Sequence, residues 1–153
     1  MKVALGLIIV VIFLLVGLIL GSKYTERRVF YDDFYSFNSQ YLLSVTLSKD
    51  TIYSTLEKID RNGDFYKFAL YKIKGADTIK KIGYLKSDDY KIIEEYFVGI
   101  GKGDGYIEKR NSLQADETLK EKKKCCEQEE KKYKPLFIKL GLLFGIIVFI
   151  VLI

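Results

Sequence analysis

Apolar residues gather at the two ends of this chain and charged ones between them. Val3 to Leu20, VALGLIIVVIFLLVGLIL, contains no charge, Asn, Gln, Ser or Thr. At 1.5 Å of rise per residue it makes a helix of about 27 Å, close to the hydrocarbon thickness of a bilayer. The second apolar run, LFIKLGLLFGIIVFIVLI, follows Pro135. With Lys139 snorkelling to the interface, Pro135 to Ile153 gives about 28 Å and also suffices to span. Two transmembrane helices, 3–21 and 135–153, are therefore expected to flank one small domain. A Met1-Lys2 start ahead of an apolar run also opens a signal peptide. Here the run exceeds the usual core of such peptides, and Gly21-Ser22 lacks the A-x-A pattern, so an uncleaved anchor is preferred.

The pattern between the spans predicts a membrane-anchored α+β fold, with residues 22–110 as the domain. Phe30 to Tyr41 mixes aromatics with Asp, Ser and Asn and reads as an irregular lead-in or an interfacial aromatic helix. Tyr41 to Leu47, YLLSVTL, has strand composition. Asp50 can cap a short helix that places Ile52, Leu56 and Ile59 on one face. Asn62-Gly63-Asp64 then signals a turn, and the aromatic-rich Phe65 to Lys74 reads as a strand. Thr78 to Lys86 would pair back on it across Gly75-Ala76-Asp77 as an antiparallel β-hairpin. Ser87-Asp88-Asp89 supplies N-cap chemistry for a helix with Ile92, Ile93, Tyr96 and Phe97 on its apolar face and Gly99 at its end.

From Asn111 to Lys134 the chain is polar. Asn111 and Gln114 suit a capped start, and the pairs Glu127 with Lys131 and Glu130 with Lys134 suit an exposed helix. No continuous apolar stripe is visible, so 111–134 is expected to be a charged juxtamembrane stalk that Pro135 breaks or kinks.

Charge and composition narrow the function. The formal charge is +5, and much of the excess lies in the Lys-dense run before the second apolar end. Lys122, Lys123, Lys124, Lys131, Lys132, Lys134 and Lys139 are the expected contacts for an anionic membrane surface. Nucleic acid is disfavoured, because no basic stripe interleaves with the twelve Tyr and ten Phe. Together with Lys23, Arg27 and Arg28, the flanking lysines bias the domain toward the cytoplasm, although loops longer than about 60 residues cross largely regardless of charge. His is absent, which removes the usual general base and the commonest metal ligand. The two cysteines are adjacent, so no disulfide framework is possible; Cys125 and Cys126 are candidate acylation sites beside the membrane and too few ligands for zinc.

Three motifs invite chemistry and each has a plainer reading. Gly99 to Gly105, GIGKGDG, could cradle a phosphate with help from Lys102, but Gly103 stands where a Walker loop needs Ser or Thr; a flexible connection is preferred. Asp60, Asn62 and Asp64 begin like a calcium loop, which Phe65 and Tyr71 then break. The pairs Asp32-Asp33, Asp88-Asp89 and Glu94-Glu95 are adjacent and so do not converge by themselves. In the spans, Gly17-x-x-x-Gly21 and Gly141-x-x-x-Gly145 fit close helix packing, with Gly21 expected against Gly141 and Gly17 against Gly145.

The sequence thus points to a double-pass, non-enzymatic interaction or regulatory module that needs no cofactor. Its expected partners are the bilayer and a membrane protein or another copy of itself. An outward-facing sensor or cell-envelope binding domain is the alternative.

Overall fold

In a computed structural model, described here for residues 2–47, 52–59, 62–75, 81–101 and 103–152, the chain folds as five helices. These are α1 (Lys2–Leu47), α2 (Ile52–Leu56), α3 (Asp64–Ile73), α4 (Ser87–Gly99) and α5 (Gly105–Leu152). No strand occurs among the described residues, which overturns the expected α+β fold and its hairpin.

Each misassigned segment has a physical reason. Phe65 to Lys74 has the composition of a strand but the spacing of a helix: Phe65, Phe68 and Ala69 are the buried positions of α3. Strand alternation would instead have turned Lys67 to the core side with Phe65 and Ala69. Of the expected partner strand, residues 76–80 lie outside the described part. Lys81 to Lys86 form coil and a turn closed by Leu85 N–H on the Ile82 carbonyl at 3.1 Å. Tyr41 to Leu47 is the last part of α1, continuing a buried series at Phe30, Phe34, Phe37, Tyr41 and Ser44. That 4-3-4-3 spacing is one helix face. The aromatic lead-in is thus the core-facing stripe of a helix. The short helix expected after Asp50 is α2, ending at Leu56; Asp50 itself lies outside the described residues. The helix expected after Ser87 is α4, with Ile93 and Tyr96 buried.

The chain divides into two units, Met1–Arg28 with Cys125–Ile153, and Val29–Lys124. The core of the second is aromatic. Phe34 stacks on Phe65 at 4.9 Å between centroids and meets Tyr96 edge-on at 4.8 Å, while Phe30 meets Phe65 edge-on at 5.5 Å. Such pairs add about 0.5–1.5 kcal/mol each beyond the area they bury.

Polar links thread this core and fix its register. Asp89, wholly buried, accepts from the Tyr31 hydroxyl at 2.7 Å and from the Lys86 N–H at 2.8 Å, the second bond closing the N-terminus of α4. Asn38, also wholly buried, donates to the Ser112 carbonyl at 3.1 Å. Its Oδ1 accepts from the Tyr96 hydroxyl at 3.0 Å and the Ser112 hydroxyl at 2.8 Å. The first part of the expected stalk, from Ser112 to Leu119, therefore packs as a wall of this unit. Burial pushes the Tyr96 phenol well above its ordinary pKa, with Tyr41 and Glu108 adding to the shift.

Candidate functional site

The first unit is a pair of antiparallel apolar helix segments brought together by glycine. A Cβ on Gly17 would lie 2.6 Å from the Phe137 carbonyl oxygen and 3.4 Å from Gly141 Cα. One on Gly141 would lie 2.5 Å from the Phe13 carbonyl oxygen, and one on Gly145 2.9 Å from Val10 Cα. Any side chain at these three positions would force the backbones apart. Gly17 thus faces Gly141, about a turn away from the expected pairing of Gly21 with Gly141, and Gly21 lies against Lys134.

Residues outside the glycine patches account for this register. Tyr24 stacks on Tyr133 at 5.2 Å and on Phe137 at 5.8 Å. One turn further, Arg27 pairs with Glu129, and Arg28 pairs with Glu130, whose other oxygen accepts from the Thr25 hydroxyl at 2.7 Å. Glu130 also meets Lys134 at 3.4 Å. Burial alone would raise the Glu130 pKa, but the Thr25 hydrogen bond, the Arg28 pair and Lys134 together hold it below its ordinary value. The sequence signal is a double Arg in one flank and a double Glu in the other, although by themselves Arg27 and Arg28 read as charge that sets sidedness and Glu129 and Glu130 as part of a stalk.

The lysines divide by environment. In the first unit Lys131, Lys132 and Lys139 are exposed, with Lys132 over the Tyr133 ring at 5.1 Å, while Lys134 is drawn to Glu130. In the second unit Lys124 is exposed and Lys122 half-buried; Lys123 is 3.1 Å from Asp32 and 5.5 Å from the Tyr35 ring centroid. Cys125 is exposed and Cys126 buried. α5 runs through Pro135 without ending. The ring removes one backbone donor, which leaves the Lys131 carbonyl without its usual helical partner.

Outward aliphatic faces remain open on both apolar segments. Ile19 is 63% exposed and Ile150 69%. Both helices are long and apolar enough to cross a membrane. A soluble core helix would cover such residues; here the partner helix covers only the glycine side.

The glycine-rich stretch holds an anion, and the anion is the chain's own. Glu108, in the first turn of α5, accepts from the Gly101 N–H at 2.9 Å and the Tyr41 hydroxyl at 2.8 Å with one oxygen, and from the Gly103 N–H at 2.8 Å with the other. Gly101 has φ +78°, a left-handed conformation suited to glycine. The stretch that sequence reasoning read as a flexible connection is therefore pinned, and Lys102 lies outside the described residues. Burial first, then the Glu108 carboxylate, raise the Tyr41 phenol far above its ordinary range. Of the calcium-like triplet, Asp60 lies outside the described residues. Asp64 sits in the first turn of α3, accepting from the Tyr84 hydroxyl at 2.7 Å.

A cleft of about 300 Å³ opens between α4 and α5. Its floor is Ile92, Ile100 and Leu119, and Glu95, Gln114 and Thr118 stand at its mouth.

A family model described as stage III sporulation protein AB matches residues 68–153, a stretch that includes both walls of the cleft and all of α5. No curated protein and no solved structure matches the chain.

Proposed function

Since the chain belongs to the stage III sporulation protein AB family, we propose that it serves sporulation as a membrane-anchored, non-catalytic interaction module. The observation that carries this reading is the glycine-closed helix pair, whose outward aliphatic faces suit lipid while Arg27 to Glu129 and Arg28 to Glu130 hold its polar end together. The buried carboxylates of the second unit support the non-catalytic part. Asp89 caps α4 and Glu108 pins the glycine loop, so both are committed to structure.

Lys131, Lys132 and Lys139 would then rest against anionic headgroups, and the Val29–Lys124 unit would lie in the cytoplasm, as the basic flanks favour. The exposed Cys125 offers a direct test of sidedness. An impermeant maleimide should leave it unmodified in intact cells and modify it after permeabilisation. Modification in intact cells would place the unit outside, as an envelope-facing binding domain.

A further inference from the structure

We propose that the cleft between α4 and α5 receives the opening turns of α5 from a second copy of this chain. This rests on the interaction-module reading and names its partner. The cleft has an apolar floor and a carboxylate at its mouth. Glu95 is exposed and makes no hydrogen bond or ion pair with the described residues, and neither Gln114 nor Thr118 is engaged through its side chain.

The matching surface is on the same unit. Along the outer face of α5, Tyr106 is 77% exposed and Leu113 49%, with the exposed cations Lys109 and Arg110 between them. Tyr106, Arg110 and Leu113 fall at i, i+4 and i+7, one helix face with an apolar anchor at each end and positive charge in the middle. An aromatic anchor flanked by Arg is the composition that concentrates binding energy in protein interfaces. A cleft that offers apolar volume beside Glu95 complements it in both shape and sign. On α5 the ridge ends at Leu113 and the cleft lining runs from Asn111 to Leu119, so two copies side by side can each present a ridge to the other's cleft.

The test uses full-length chains labelled at Cys125 with donor or acceptor dye and co-reconstituted in phosphatidylcholine liposomes, with energy transfer followed against protein density. Wild-type copies should associate. Glu95→Lys or Arg110→Glu alone should weaken association at least tenfold, and so should Tyr106→Ala. The double variant Glu95→Lys with Arg110→Glu should restore it, because the charges then match again between copies. The three side chains altered, Glu95, Tyr106 and Arg110, are exposed, and unchanged helix content by circular dichroism would confirm that the fold persists. Monomeric wild type, association indifferent to the single variants, or a double variant no better than the singles would each overturn the docking. None of these outcomes bears on the membrane topology, which Cys125 labelling reads separately.

Discussion

At the scale of single residues, Glu108 does the most for its size. Its carboxylate accepts from two N–H groups of the glycine-rich loop and from the Tyr41 hydroxyl across the core. Hydrogen bonds to a charged acceptor contribute about 1.5–3 kcal/mol each and are not additive, so Glu108→Ala should lower stability by about 3 kcal/mol. Thermal unfolding followed by near-ultraviolet circular dichroism would read this; a loss below about 0.5 kcal/mol would mean that water replaces the carboxylate without penalty. Tyr41 and Tyr96 set the behaviour in alkali. Both phenols are held neutral in the fold, with pKa values raised above the unfolded value near 10. The neutral forms therefore stabilise the fold fully below that pH, and the contribution is lost as pH rises through the folded values. Melting temperature should fall above pH 10 more steeply in the wild type than in Tyr41→Phe with Tyr96→Phe. Equal slopes would show that neither phenol drives the loss.

Among the elements, the paired apolar segments of α1 and α5 depend on contacts with no room for a side chain. Gly141→Ile should separate them, because the Phe13 carbonyl oxygen lies 2.5 Å from where the first new carbon would stand. Oxidative crosslinking of an engineered cysteine pair across the two helices, in a Cys125→Ser, Cys126→Ser background, should fall several-fold; unchanged crosslinking would show that the aromatic stack and ion pairs hold the helices without the glycines. Acid should act on the same pairing at its polar end. The Glu130 pKa is lowered in the fold, so its contribution is present above the unfolded carboxylate value and lost as pH falls through the folded one. The elements also show what could be read in advance. α4 was legible because its cap and its apolar face agreed. α3 and the end of α1 were not, since the composition of 65–74 and of 41–47 spoke for strands while Phe65, Phe68 and Ala69, or Phe37, Tyr41 and Ser44, kept helical spacing. α5 hid its inward face for a different reason: the buried positions Glu108, Ser112, Leu119 and Cys126 include a single hydrocarbon side chain.

For the molecule as a whole, the two apolar ends were legible from length and composition, and they frame an architecture whose middle is helical throughout its described residues. The cleft was not legible, because Ile92, Ile100 and Leu119 lie on separate parts of the chain and only folding brings them beside Glu95. The glycine contact between Gly17 and Gly141 also has a consequence in time. The two residues are 124 positions apart in the sequence, and at synthesis rates of about 5–20 residues per second the first waits roughly 6–25 s for the second to be made. Throughout that interval the narrow face of α1 is open to any other helix in the bilayer, so the nascent protein is at its most promiscuous before its own last helix arrives to claim the groove.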